Sequence, residues 1–303
     1  SGPARAARCL DRVAAHVIHE LPLERRTLHG HFSRDLPAIL TVDPGDGVAF
    51  SCPNARWYLA PDERFEPRDE HLDVGHALVG PIDVRGAQAG GTLVVRIDDV
   101  RPGTFGETWG HETRVEWTLD AERGTGVDDR GTGVRLAPFL GVIGMPPDEQ
   151  GIHSTGPPRR CGGNIDCKEL VAGTALYLPI SVDGAHLSAG DGHAAQADGE
   201  ASGTAIECFL ERAQLTIELS DLELRSPIAR TPVAWIAFGF DEDLDLAAEE
   251  ALATMLDLME RDLGLERSYA LALSSIAVDL RVTQIVNGVK GVHAVLADEA
   301  IRQ

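Results

Sequence analysis

Short apolar runs, each preceded by a glycine-containing turn, recur along this chain of 303 residues. Three segments share the pattern: residues 44–48, 89–95 and 172–178. A turn followed by β-branched or aromatic residues is typical of strands that enter a sandwich or a barrel. The second run predicts a strand that continues to Ile97, and a further strand is predicted over residues 213–219.

Helical periodicity is clearest near the C-terminus. The stripe at helical spacing consists of Leu244, Ala248, Leu252, Met255 and Met259. It predicts a helix from Asp243 to Arg261, with acids in the first turn, where the helix dipole favours them. The Met/Leu stripe is expected to pack into the core rather than to line a ligand groove.

Elsewhere the pattern is weaker. A second helix is predicted over residues 267–276 and a strand over residues 277–286. Residues 4–20 fit several helical phases and indicate a short helix. Residues 104–160, rich in Gly-Thr-Gly and Gly-Pro turns, are predicted to be mostly irregular, and a loop of that kind is often functional.

Composition adds support for a turn-rich globular fold. The chain holds 32 Gly and 17 Pro, spread along its length, and 43% apolar residues, enough for a sizeable core. We expect an N-terminal segment over residues 1–22, a β-rich part over 23–160 and an α+β part over 161–303, packed as one compact unit.

Charge excludes two classes of partner. The 27 Lys and Arg against 48 Asp and Glu give a net charge of −21. Such a surface lacks the clustered cations that nucleic acid or an anionic membrane surface requires. No apolar run approaches the roughly 18–20 residues of a membrane-spanning helix, so no membrane is expected.

Cysteine usage indicates the compartment. The five cysteines form an odd set without CxxC pairs: Cys9, Cys52, Cys161, Cys167 and Cys208. Free thiols fit a reducing cytoplasm better than a disulfide framework, and the N-terminus has no leader-like apolar stretch. We therefore expect a cytoplasmic protein without a tetrathiolate zinc site.

The chemically informative residues lie between 162 and 207. Acids, histidines and amides alternate there with Gly and Ala, whose small size lets side chains converge. Asp191 and His193 are two apart, so an extended segment would place both on one face. A carboxylate and an imidazole on one face begin a Zn²⁺ or Mn²⁺ site, with Asp166 and His76 as further candidate ligands.

Four more residues are candidates for the chemistry around such an ion. Glu200 or Glu207 would serve as general base toward water that the ion activates. Lys168 or Gln196 would polarise or orient a carbonyl. Each motif also has a simpler explanation, since Asp-x-His is common in ordinary turns and a lone histidine such as His76 often lies at a surface.

Other catalytic schemes lack their motifs. The chain contains no HExxH, GxSxG, GxGxxG or GxxxxGK[ST] sequence. Cys167, Lys168 and Glu169 include the residue types of a nitrilase triad. Successive residues diverge in direction, which argues against Cys167 as a nucleophile.

Taken together, the blocks resemble the acetamidase/formamidase family. The central ones are Gly162-Gly163-Asn164-x-Asp166-x-Lys168, Gly190-Asp191-x-His193-x-x-Gln196-x-Asp198-Gly199-Glu200 and Ile206-Glu207. The outer ones are His29–Asp46, Gly80–Ala87 and Val286–Ala294. The similarity extends over about residues 23–295. One departure is Ala197, where Gly is common in the family.

The resemblance implies hydrolysis of short amides, a divalent-metal site and a homodimer or higher homo-oligomer. The positions carried over are Asp166, Lys168, Asp191, His193, Gln196, Asp198, Glu200 and Glu207. With the hydrophobic pattern, it predicts a mainly β fold with α+β additions, in which a β-sandwich or jelly-roll-like core carries a C-terminal helical pair.

Three hypotheses follow for function. The first is a metal-dependent amidohydrolase that cleaves the linear C–N bond of formamide-like or acetamide-like substrates, most simply with Zn²⁺. The second keeps the metal but takes a cyclic amide. The third is a non-catalytic β-sandwich module that holds a structural ion such as Ca²⁺, which oxygen-rich ligation would favour.

Overall fold

The computed structural model describes residues 16–302. The strands of the first half are β1 Ile18–Leu21, β2 Leu28–His29, β3 Leu40–Val42, β4 Gly47–Cys52, β5 Tyr58–Ala60, β6 Glu63–Arg64, β7 Leu78–Val84, β8 Thr92–Gly110, β9 Thr113–Asp120, β10 Thr125–Asp128, β11 Gly133–Arg135 and β12 Phe139–Gly144. A single 3₁₀ turn, Arg25–Thr27, precedes β2.

The second half adds nine strands and both α-helices of the described chain. They are β13 Pro158–Arg159, β14 Gly162–Asn164, β15 Ala175–Pro179, β16 Leu187–His193, β17 Glu207–Ser220, β18 Ile228–Arg230, β19 Ala234–Asp241, α1 Leu244–Leu263, α2 Arg267–Ala277, β20 Val278–Gln284 and β21 Lys290–Ala297. The mainly β fold with a C-terminal helical pair is thus confirmed.

One curled sheet contains all of these strands except β5 and β6, which form a separate hairpin. Its pairings are antiparallel apart from β1 with β4 and β3 with β7. The long strands β8 and β17 form its central ladder, in which Ile217 lies opposite Val95 and Leu215 opposite Ile97. These side chains are fully or almost fully buried, and each contributes about 1.5–3 kcal/mol by leaving water.

The pairing brings distant parts of the sequence together. β8 pairs with both β15 and β17, and β12 pairs with β14 and β16. Strands from residues 23–160 therefore share hydrogen bonds with strands from residues 161–303. At one end of this sheet β12, β14, β16 and β17 meet, and the candidate site lies there.

The helices behave as the hydrophobic pattern predicts. Asp243 caps α1, because its Oδ1 accepts from the backbone N–H of Asp245 at 2.8 Å, and Gly264 ends it at φ 64°. Met255 and Met259 are fully buried in the core beneath the helix. The helix α1 packs so closely against β19 that residue 239 must be glycine, because a Cβ there would lie 2.1 Å from the Ala247 carbonyl oxygen. None of the described helices is long and apolar enough to span a membrane.

The three glycine-turn segments and residues 213–219 form strands, as predicted, in β4, β8, β15 and β17. The prediction that residues 104–160 are mostly irregular is wrong. β8 continues to Gly110, and β9, β10 and β11 form an antiparallel meander in which Gly126 lies opposite Leu119 and Val134. β9 does alternate, since Val115, Trp117 and Leu119 lie on one face and the last two are buried, but the glycine-rich turns around it were given more weight. β10 and β11 are short and mostly exposed, so they have no clear alternation.

The predicted N-terminal helix falls largely outside the described residues. Of residues 4–20, the structure describes only 16–20, and Ile18 to Glu20 belong to strand β1, which runs parallel to β4. The helical prediction is therefore wrong for the described part.

Candidate metal centre and active site

Five buried ionisable side chains converge where β16 and β17 meet. Asp166, Asp191 and His193 offer ligand atoms that all lie within 4.8 Å of one another, and so do His193, Glu200 and Glu207. All five residues are at most 6% exposed. The two triplets share His193, so they form one cluster, which we call the acidic cluster.

Strand geometry explains the centre of this cluster. Asp191 and His193 both lie on β16, as the spacing of two predicted, and His193 Nε2 is 3.3 Å from Asp191 Oδ1. Glu207 begins β17 directly opposite His193 in the ladder, with its Oε2 3.4 Å from His193 Nε2. The simpler explanation, an Asp-x-His turn, is therefore wrong, because both residues belong to a paired strand.

Three of the four acids occupy strained backbone. Asp166, Asp191 and Glu200 have φ angles of 53°, 62° and 45°. The left-handed region costs a non-glycine residue about 1–3 kcal/mol, and such outliers cluster at functional sites. The fold therefore maintains three unfavourable conformations that all aim a carboxylate at the same place.

Gly141 on β12 provides the space for this convergence. It lies between the residues that pair with Gly190 and Gly192, and therefore faces the Asp191 position on β16. A Cβ on Gly141 would lie 2.5 Å from Asp191 Oδ2 and 2.8 Å from Asp166 Oδ1. Only glycine leaves these carboxylates where they are.

Each of the four acids has one buried oxygen without a hydrogen-bond donor among the described residues. The buried atoms without a hydrogen-bond partner among residues 16–302 include Asp166 Oδ1, Asp191 Oδ1, Glu200 Oε2, Glu207 Oε2 and His193 Nδ1. A buried carboxylate oxygen left without a partner is costly, and a bound cation is one way to satisfy it. A mixed set of carboxylates and one imidazole suits Zn²⁺ or Mn²⁺. The side chains therefore fit a divalent cation.

The shifted pKa values of these side chains also indicate that the cluster needs positive charge. Burial, followed by the nearby Glu200 carboxylate, raises the pKa of Asp166 well above its usual value. Burial likewise raises the pKa of Glu200 to about 7. Burial alone would lower the pKa of His193, but the Glu207 and Asp191 carboxylates raise it well above normal. Without a cation, protons must neutralise part of the cluster.

Two amides hold Asp166. Gln196, a predicted site residue, donates its Nε2 hydrogen to the Asp166 carbonyl oxygen at 2.7 Å. Asn287, in the loop between β20 and β21, donates from Nδ2 to Asp166 Oδ2 at 2.6 Å. Sequence analysis did not select Asn287 as a site residue, although it lies within the C-terminal block that carries the family resemblance.

His76 lies at the border between the acidic cluster and the surface. It belongs to neither triplet, but it lies close to Asp191. Burial alone would raise the pKa of Asp191, and the nearby His193 and His76 together lower it below its usual value. Its Nδ1 is 2.8 Å from Thr155 Oγ1. It also lines an open cavity of about 750 Å³ together with Trp57 and Tyr58.

Lys168 and Cys167 lie outside the acidic cluster. Lys168 Nζ forms ion pairs with Glu169, at 2.6 Å, and with Asp198 rather than with the buried acids. Cys167 is 1% exposed, and burial raises the pKa of its thiol well above the usual value. A protonated, inaccessible thiol is a poor nucleophile, which agrees with the argument from the sequence.

Comparison with known proteins identifies relatives of this chain. Acetamidase from Mycolicibacterium smegmatis is 27% identical over 269 residues, covering 63% of this chain and 66% of that protein, just under two thirds of its length. Among solved structures, acetamidase from Bacillus halodurans is 27% identical with a TM-score of 0.80, covering 92% of this chain and 97% of its own.

A predicted acetamidase/formamidase from Thermoanaerobacter tengcongensis shares the fold, with a TM-score of 0.84 at 24% identity, covering 94% of this chain and 97% of its own. Residues 19–132 and 148–221 match the sequence profile of the Acetamidase/Formamidase family. All five members of the acidic cluster lie within the second matched range. The chain therefore belongs to the Acetamidase/Formamidase family.

Proposed function

We propose that this protein hydrolyses the C–N bond of short linear amides of the formamide or acetamide type, giving a carboxylate and ammonia. The observation that carries the proposal is the acidic cluster itself: four buried carboxylates around His193, each with one oxygen that lacks a donor among the described residues, in a chain of this family. A neutral amide needs no electrostatic steering, so the net charge of −21 does not oppose it.

The proposal includes a divalent cation, most simply Zn²⁺. Asp166, Asp191 and His193 would hold it, and His76 is the candidate for a fourth ligand. Thr155 supports that role for His76, because ligating histidines usually use their second ring nitrogen in a hydrogen bond. When bound, the ion supplies Lewis acidity that activates water and polarises an amide carbonyl. A histidine in the set disfavours Ca²⁺, which prefers oxygen ligands.

Proton transfer falls to Glu200 and Glu207. Burial raises the pKa of Glu200 to about 7 in the absence of a cation, and a bound cation would lower it, so that an ionised Glu200 could take a proton from water and return it to the departing amine. Each of the two glutamates keeps one oxygen without a hydrogen-bond partner among the described residues, so each can accept that proton.

Substrate positioning falls to the residues around Asp166 and His76. Gln196 donates to the Asp166 carbonyl, and its own Oε1 accepts from no described group, so this oxygen can accept from the amide nitrogen. The cavity beside His76 is the proposed route of entry. Trp57 and Tyr58 line it together with charged side chains such as Arg64 and Glu70, and its volume of about 750 Å³ would admit a small amide.

Replacement of His193 by Ala tests the proposal. We expect metal content and ammonia release from formamide and acetamide to fall together. The matched control is His71→Ala, which removes an exposed histidine in a loop. Wild-type metal content and activity in His193→Ala would refute the assignment.

The same assay separates the competing hypotheses. A panel of linear amides and a five-membered lactam distinguishes a linear-amide hydrolase from a lactam hydrolase. Stabilisation of the protein by metal, without turnover of any amide in the panel, would instead identify a binding module.

The proposal also includes a cytoplasmic location and a homo-oligomeric assembly. Cys52, Cys161, Cys167 and Cys208 are free, buried thiols, which supports a cytoplasmic location. The homo-oligomer that the family resemblance implies stays a prediction, and light scattering of the purified protein measures it.

A further inference from the structure

A second group of potential ligands lies outside the acidic cluster. Cys167, Glu169 and His293 offer atoms that all lie within 4.8 Å of one another. Cys167 Sγ donates to Glu169 Oε2 at 3.2 Å, and His293 Nε2 is 3.6 Å from the same oxygen. Cys167 and His293 are each 1% exposed. The residues come from the turn after β14 and from β21, so the fold brings them together over more than a hundred residues.

His293 is oriented toward this group without a partner for one nitrogen. Its Nδ1 is 2.8 Å from Thr283 Oγ1 on β20, which fixes the ring. Its Nε2 is buried and has no hydrogen-bond partner among the described residues. A fixed ring with a free second nitrogen is the usual condition of a metal-ligating histidine.

The charges around Glu169 leave one of its oxygens available. Lys168 and Arg281 both contact Oε1, at 2.6 Å and 3.2 Å. Each of these cations also has a second acid, Asp198 for Lys168 and Asp279 for Arg281. Oε2 faces the thiol and the imidazole instead. The positive side chains therefore hold Glu169 in place from the far side.

We propose that Cys167, Glu169 and His293 form a second divalent-metal site, of the sulfur-containing kind that suits Zn²⁺. Tetrahedral zinc, with bonds of about 2.3 Å to sulfur and about 2.1 Å to nitrogen or oxygen, needs S···O and N···O separations of roughly 3.6 Å and 3.4 Å. The observed 3.2 Å and 3.6 Å differ from these by a few tenths of an ångström. Formation of the metal–sulfur bond would release the thiol proton to solvent, and Cys167, Glu169 and His293 would supply three ligands.

This site has a structural role. Cys167 follows Asp166 directly, so a metal between Cys167 and His293 would attach the turn that carries Asp166 to the C-terminal hairpin β20–β21. The same hairpin carries Asn287, which already donates to Asp166. The second site would thus position a ligand of the acidic cluster without touching substrate.

Cobalt spectroscopy tests the second site without reference to turnover. The full chain is loaded with Co²⁺, and the near-ultraviolet charge-transfer band of a cobalt–thiolate bond is recorded. The variants are Cys167→Ser and His293→Gln, and the control is Cys161→Ser, which removes another buried free thiol. Circular dichroism establishes that each variant is folded.

We expect two equivalents of metal per wild-type chain and a thiolate band, with the band and one equivalent lost in Cys167→Ser and in His293→Gln but kept in Cys161→Ser. His193→Ala should lose the other equivalent and keep the band, which separates this site from the proposed function. Absence of the band in the cobalt-loaded wild type overturns the proposal whatever the variants do. So does a band that persists in folded Cys167→Ser or His293→Gln.

Discussion

Replacement of Gly141 by Ala should disable the acidic cluster while the fold remains. The new Cβ would lie 2.5 Å from Asp191 Oδ2, 2.8 Å from Asp166 Oδ1 and 2.8 Å from His193 Cε1, whereas ordinary contacts begin near 3.4 Å. The backbone of Gly141 is not in the left-handed region, so alanine meets no strain of its own. The three proposed ligands must therefore move apart by roughly 0.5–1 Å to restore van der Waals contact.

The size of the effect follows from that displacement. A shift of about 1 Å in a catalytic group lowers the rate on the order of 100-fold, which corresponds to about 2.7 kcal/mol in the barrier. Overpacking at a buried position costs about 1–3 kcal/mol of stability, less than the typical 5–15 kcal/mol of a folded domain. We therefore expect a folded protein with about one hundredth of the wild-type kcat/KM and weakened metal binding.

The assay combines ammonia release, metal content by elemental analysis and thermal unfolding. Gly133→Ala is the matched control, because Gly133 also lies in a strand but has open space around its Cβ position. The control should resemble wild type in all three measurements. Wild-type activity and metal content in Gly141→Ala would show that the proposed ligands do not surround this point, and the assignment of Asp166, Asp191 and His193 would be withdrawn.

Three further predictions concern other contacts. Burial lowers the pKa of His29 to about 4, so only the unfolded chain takes up its proton between pH 6.5 and 4, and stability falls as the pH drops through that window. Between pH 7 and 4.5 the free energy of unfolding of wild type, measured in urea, should fall by roughly 2–3 kcal/mol more than that of His29→Gln. An equal fall in the two proteins would contradict this. Asp243→Ala removes the cap of α1 and should cost about 1 kcal/mol of stability with unchanged kcat/KM, whereas Asp243→Asn should retain most of it. Thr155→Val removes the hydroxyl that holds His76 and should weaken metal binding about 10–100-fold in a competition titration; unchanged affinity would exclude His76 as a ligand.

Local patterns were sufficient to predict the elements with strong periodicity. The stripe ending at Met259 and the acids before it predict α1 to within two residues at each end. Alternation and turns predict β4, β8, β15 and β17. In the meander only β9 has such a pattern; β10 and β11 are short and mostly exposed, and they are ordered by pairing, β10 with β9 and β11 with β10. Pairing partners depend on contacts far apart in sequence, so the sheet order was not predictable.

Some features of the acidic cluster were likewise predictable from the sequence, and others were not. The spacing of Asp191 and His193 is local, and the strand places them as expected. The contact of Asn287 with Asp166 joins residues 121 apart, and the approach of Gly141 depends on the register of β12 against β16. Neither follows from spacing. The second ligand group also escaped sequence analysis, since nothing near Cys167 indicates that His293 lies beside it.

The acidic cluster lowers the stability of the fold, and this cost favours a role for it in binding a cation. Buried carboxylates near one another destabilise a fold, and apolar side chains of similar size are often as good or better for stability. Here three of the acids also occupy left-handed backbone at about 1–3 kcal/mol each. A cation that binds only the folded state returns stability by mass action, about 4 kcal/mol at a thousand times its dissociation constant. A ligand of that kind offsets the strain and the desolvation together, at the site where the proposed amide hydrolysis would require positive charge.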